Sequence, residues 1–131
     1  MSDSLSPEKN AAFLAANREK PGVTVTPSGL QYRVITSGNG AQPKPASMVT
    51  VHYRGTLIDG KEFDSSLGGP PARFPANRLI KGWVEALQLM HEGDKWELVI
   101  PSDLAYGTRG APPDIGPNQT LVFEIELLKV E

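Results

Sequence analysis

Six aromatic residues are the first candidates for chemistry: Tyr53, Phe63, Phe74, Trp83, Tyr106 and Phe123. Taken singly, each reads as a core residue, because aromatic side chains bury large apolar areas. Their settings shift that balance. Phe63 and Phe74 flank a Gly/Pro-rich stretch, Trp83 heads a helical pattern and Tyr106 lies in a long irregular segment. Several therefore sit at edges where a half-open apolar pocket forms, and such a pocket takes an apolar ligand. Asp64 follows Phe63 directly and precedes Ser65-Ser66. Alone it reads as a turn or capping carboxylate, whereas beside an aromatic pocket it is an oriented acceptor. Tyr53 and Tyr106 can aim hydroxyls at it or at a ligand carbonyl, since a buried phenol seeks a partner.

Other chemistries lack their parts. There is no Cys, no phosphate-binding or dinucleotide glycine motif and no Gly-x-Ser-x-Gly elbow. His91-Glu92-Gly93-Asp94 begins like a zinc-protease motif but lacks the second His, and only His52 remains elsewhere. Metal catalysis is not expected and no cofactor is implied. Glu85, Glu92, Glu124 and Glu126 read as solvated faces. A net charge of −2 offers no basic excess for a phosphate backbone, so nucleic acid is a poor partner. No apolar run has the length of a membrane span, and the Met1-Ser-Asp-Ser start lacks a signal pattern. A cytoplasmic chain is expected, or a periplasmic one if a leader has been removed.

The elements that must hold these residues follow from periodicity. The 131 residues suit one ordinary domain, and 13 Gly with 12 Pro favour a turn-rich β protein over a bundle. Ser6 and Pro7 cap and open a helix that Pro21-Gly22 stops, with a short apolar stripe at Ala11, Phe13, Leu14 and Ala15. Residues 1–22 thus read as a helical extension of a domain spanning 23–131. Period-two patterns place strands at Val23–Thr26, Leu30–Ile35 and Met48–Leu57, the last putting Tyr53 with the core residues. Asp59-Gly60 turns the chain into Lys61–Asp64. Ser65–Ala76 reads as loop. Ile80, Trp83, Val84, Leu87 and Met90 recur at helical spacing, and two strands follow around Trp96–Ile100 and Leu121–Leu127. Pro101–Gln119 between them is a long loop of the functional kind. The sum is α+β: an antiparallel sheet with one helix on its face.

Several strings resemble one family. Val49-Thr50-Val51-His52-Tyr53-Arg54-Gly55, Asp59-Gly60-Lys61-Glu62-Phe63-Asp64-Ser65-Ser66, Ile80-Lys81-Gly82-Trp83, Ala105-Tyr106-Gly107 and Leu121-Val122-Phe123-Glu124-Ile125-Glu126-Leu127-Leu128 are similar, in order and spacing, to the FK506-binding-protein (FKBP) type of peptidyl-prolyl cis–trans isomerase. The entry segment Ala12–Asn17 with Pro27–Tyr32 further resembles the bacterial macrophage-infectivity-potentiator group, in which a long helix joins the catalytic domain to a dimerisation domain. The resemblance implies a curved antiparallel sheet wrapped around one short helix. It also implies Trp83 as pocket floor, Tyr53, Phe63, Phe74, Leu79, Ile80, Ile115 and Phe123 as walls, and Asp64 and Tyr106 as polar groups. The Ile80 N–H would meet a ligand carbonyl. Asp64, Tyr106, Trp83 and Phe123 would carry catalysis.

The implied partners are proline-containing peptides and folding proteins, with FK506- and rapamycin-type macrolides as further ligands. Ala72, Gly68-Gly69 and Ala111 stand where small eukaryotic members carry an aromatic, an Arg and a His, so isomerisation is implied more directly than macrolide binding. A noncatalytic proline-peptide binder or chaperone is the alternative, and a carboxylate hydrolase lacks a partner for Asp64. A monomer is expected, with the N-terminal helix as the route to any dimer.

Overall fold

A computed structural model describes residues 5–131, so the Met1–Ser4 start lies outside the described residues. Helix α1 spans Pro7–Asn17 and α2 spans Lys81–Leu89. The strands are β1 (Val23–Val25), β2 (Gln31–Thr36), β3 (Met48–Leu57), β4 (Glu62–Ser65), β5 (Ala72–Pro75), β6 (Lys95–Ile100) and β7 (Leu121–Val130). They form one antiparallel sheet in the order β1-β2-β6-β7-β3-β4, with β5 also paired to β3. No helix among the described residues is long and apolar enough to cross a membrane.

The core follows the alternation. Trp96, Leu98 and Ile100 on β6, Leu121, Phe123, Ile125 and Leu127 on β7, and Val49 and Val51 on β3 are buried. Against them α2 sets Trp83, Ala86 and Leu87, with Met90 just beyond its end. Full burial of Leu87 or Met90 stabilises by about 1.5–3 kcal/mol each. Gly82 permits the close approach, since a Cβ there would lie 2.6 Å from Ile100 Cγ2.

Two expectations are corrected. The Ser65–Ala76 stretch contains a strand: β5 pairs with β3 through Met48–Pro75, Val49–Phe74, Thr50–Arg73 and Val51–Ala72. Its prolines read as breakers, but at a sheet edge a residue without an N–H leaves no partner unsatisfied. Helix α1 does begin with Ser6 accepting from the Lys9 N–H at 3.2 Å. It ends at Asn17, before the Pro21-Gly22 stop that was expected. Ala11 and Ala15 are exposed, Phe13 and Leu14 are half-buried, and the buried side chains are Asn10 and Asn17, seven residues and so about two turns apart. Asn10 Nδ2 donates to Gln119 Oε1 at 3.2 Å, and Asn10 Oδ1 accepts from the Thr120 N–H at 2.8 Å. Asn17 Nδ2 donates to Gln31 Oε1 at 2.8 Å, and Gln31 Nε2 donates to Leu14 O at 3.1 Å. A polar seam joins the helix to the sheet.

Removing one side of this seam orphans the other. Asn10→Ala leaves the buried Thr120 N–H without its acceptor and should cost about 1–3 kcal/mol in denaturant unfolding. Lys9→Ala, one residue away and exposed, should stay within about 0.5 kcal/mol. Equal stabilities of the two variants would contradict the docking role.

Candidate active site

Strand β3 positions the site because its two edges are treated differently. One edge pairs with β7 from Val49 to Leu57. The other is shared: β5 covers Met48–Val51 and β4 covers Arg54–Thr56, leaving His52 and Tyr53 between them. Ser66 fills the break. Its Oγ accepts from the Tyr53 N–H at 2.8 Å and hydrogen-bonds His52 Nδ1 at 2.9 Å, while its own N–H donates to Tyr53 O at 2.9 Å. The backbone of Tyr53 is therefore satisfied where the strands part, and its side chain faces the space beneath α2.

That space is a cavity of about 360 Å³ between sheet and helix. Trp83, only 4% exposed, is its floor. Three rings meet the indole edge-to-face: Tyr53 at 5.2 Å and 80°, Phe74 at 5.9 Å and 89°, and Phe123 at 5.1 Å and 86°. Phe63 meets Phe123 likewise, at 5.5 Å and 89°. Each such pair contributes about 0.5–1.5 kcal/mol beyond burial, so the floor is stiff. Gly55 makes room for it, because a Cβ there would stand 2.7 Å from ring atoms of both Phe63 and Phe123.

The polar groups are few and fixed. The Tyr53 hydroxyl donates to Asp64 Oδ2 at 2.9 Å, and the Ser65 N–H donates to Asp64 Oδ1 at 2.9 Å. Burial, then the bond to Asp64 and its charge, push the Tyr53 phenol up to about 12. The proton thus stays on Tyr53 and Asp64 acts as an anchored acceptor. Tyr106 stands on the rim, 40% exposed, and its hydroxyl has no hydrogen-bond partner among the described residues. The Ile80 N–H is equally unclaimed among the described residues, while its carbonyl accepts from Trp83 and Val84 at the start of α2. No group of three or more His, Asp or Glu among the described residues is arranged to hold a metal ion. An apolar chamber with two free donors at its margin is suited to a carbonyl-bearing apolar group; it offers no activated nucleophile.

Residues 39–128 match the family described as FKBP-type peptidyl-prolyl cis-trans isomerase. The chain belongs to this family. Residues 4–34 also match the domain amino-terminal to such isomerases. The outer membrane protein MIP of Legionella longbeachae is 54% identical over 124 residues, 94% of this chain and 53% of the relative. An FKBP-type 22 kDa peptidyl-prolyl cis-trans isomerase of Escherichia coli is 57% identical over 119 residues, 90% of this chain and 58% of the relative. The crystal structure of a Pseudomonas syringae peptidyl-prolyl cis-trans isomerase superposes with a TM-score of 0.89 at 44% identity, covering 95% of this chain and 92% of that one. The chain spans about half the length of the curated relatives it matches.

Within this FKBP-type fold, nine of the ten residues expected at the site line the one cavity: Tyr53, Phe63, Asp64, Phe74, Leu79, Ile80, Trp83, Tyr106 and Phe123. Ile115 does not. It exchanges two backbone hydrogen bonds with Ala111, and its side chain is buried in the hydrophobic core. Two participants were not foreseen. Arg78 lines the cavity, and Ser66 closes the strand break. The only sequence signal for Arg78 is its place two residues before Ile80, and Ser66 is one of two adjacent serines with turn character.

The Tyr53–Asp64 bond has a pH signature. Because the folded pKa is raised from 10.0 to about 12, this contribution to stability is complete below pH 10 and is lost as pH rises through about 12. Tyrosinate absorbance should show one phenol ionising near pH 12, and Tyr53→Phe should delete that step. Titration of Tyr53 near pH 10 in the folded protein would refute the burial and the bond together.

Proposed function

We propose that the chain is a peptidyl-prolyl cis–trans isomerase acting on proline-containing peptides and folding proteins by draining water from the X–Pro bond. The observation that carries this reading is the half-open aromatic chamber on Trp83, whose polar groups, apart from the indole N–H of the floor, lie on one wall and the rim. Rotation about the bond is slow because it breaks amide resonance, a barrier of about 18–20 kcal/mol. Water at the carbonyl oxygen favours the planar, more dipolar form. Rings that exclude this water favour the twisted form, in which the oxygen leaves conjugation. The Ile80 N–H is placed to receive a neighbouring carbonyl and hold the peptide in register. Tyr106 is placed to guide the turning oxygen, and Asp64 fixes Tyr53 against the floor.

The same chamber supports binding of FK506- and rapamycin-type macrolides as part of this proposal. Residues 1–22 are read as an extension docked on the 23–131 domain by the asparagine seam, and the unit as monomeric. The cytoplasmic location expected from the sequence gains no support from the relatives. The Legionella relative's name, an outer membrane protein, favours the cell envelope instead.

Proline-limited refolding of a client tests the reading. Acceleration at substoichiometric protein supports an enzyme; slowing at stoichiometric amounts supports a noncatalytic holdase with the same pocket. If desolvation dominates, Tyr106→Phe, which forfeits one hydrogen bond of about 1 kcal/mol, lowers kcat/KM about five-fold. Trp83→Ala and Phe123→Ala should each lose well over tenfold in the fraction that remains folded. Core truncation itself costs about 3–5 kcal/mol, so that fraction is fixed first by denaturant unfolding. Equal losses in all three variants would refute the ranking.

A further inference from the structure

The cavity mouth is electrically lopsided. Arg78 lines the cavity and is exposed. The ion pairs among the described residues engage Arg33, Arg54, Arg73 and Lys95, and Arg78 belongs to none of them. Helix α2 itself starts without a side-chain cap and without an acidic residue in its first turn, so the positive end of its dipole is uncompensated. Both sources of positive potential, Arg78 and the head of the helix, lie on the α2 side. The one acid lining the cavity is Asp64, and both of its oxygens already accept hydrogen bonds, from Tyr53 and Ser65.

We infer that the mouth selects X–Pro segments carrying a carboxylate next to the proline, an Asp or Glu side chain paired with Arg78. The inference rests on the isomerase reading and names a substrate class for it. A guanidinium presents a planar fork that fits a carboxylate with two parallel hydrogen bonds, and it stays charged at every physiological pH. Its exposure limits the effect to a few-fold and makes it salt-sensitive. The apolar chamber takes the prolyl ring and Arg78 reads the neighbour. Affinity and charge selection thus reside in different parts of one site.

The test uses peptides with blocked termini, so that the only carboxylate is a side chain. One series places Glu, Gln or Lys immediately before proline and the other immediately after it. In the wild-type chain, kcat/KM for Glu should exceed that for Gln about two- to five-fold at one of the two positions, with Lys below Gln. The advantage should fade as salt rises toward about 0.5 M. Arg78→Gln should bring the Glu/Gln ratio to one, and Arg78→Glu should invert the order in favour of Lys. Each preference is a ratio measured on one protein, so it is independent of how much of that protein is active. A wild-type ratio of one at both positions, or a ratio that survives Arg78→Gln, overturns the inference. If no peptide turns over faster than spontaneously, the isomerase reading fails. The same ratios taken from binding, followed by tryptophan emission, then decide the charge preference separately.

Discussion

The break in the outer edge of β3 is the constraint from which the site follows. Side chains leave a strand towards the faces of its sheet whatever borders the edge, so what the break adds is a Tyr53 backbone that no strand has to satisfy. Here β5 and β4 each cover part of the edge, and the unpaired pair His52-Tyr53 is satisfied by Ser66 instead of by a strand. The gap lets Tyr53 reach Asp64 on the adjoining strand while its ring still packs on Trp83. It also sets the chain between β4 and β5 free to run outside the sheet. A local failure of pairing is thereby closed by one hydroxyl, beside the diagonal neighbours Tyr53 and Asp64 that form the wall and the fixed polar group of the pocket.

The second condition is stiffness. An apolar chamber excludes water usefully only if its walls do not collapse on it, and edge-to-face rings hold one another at fixed angles. Gly55 shows how little slack there is, since even a methyl at that position would meet two of the rings. Polar atoms are admitted sparingly. The Tyr53–Asp64 pair is internally satisfied, so the groups left to address a ligand stand at the margin, on Tyr106 and on the backbone at the head of α2.

Much of this was legible in the sequence, and the failures have physical causes. The alternation of Trp96, Leu98 and Ile100, and of Leu121, Phe123, Ile125 and Leu127, identified two central strands because each has one buried face. The helical spacing of Trp83 and Leu87 identified α2. Strand β5 was missed because proline content, a sound marker of loops, loses its meaning at an edge. The docking of α1 was missed because hydropathy reads asparagine as solvent-facing, and only a partner elsewhere in the chain, here Gln119 and Thr120, makes it a buried residue. Ile115 was expected at the site by analogy of position, whereas the short bridge to Ala111 decides where it sits. The placing of the aromatics suggested a pocket with Asp64, Tyr53 and Tyr106 as its polar groups, and the family resemblance added the Ile80 N–H.

The asparagine seam has an implication for how the extension is carried. Most helices laid on a sheet are glued by oily surface, and peeling one away bares a sticky scar on both halves. No side chain of α1 joins the apolar core, and its two innermost residues are amides. Were the helix to lift, it would bare these amides together with the half-buried Phe13 and Leu14, and on the sheet the amides of Gln31 and Gln119. The attachment is therefore specific in register, because paired amides accept one partner at one distance where apolar surface would tolerate sliding.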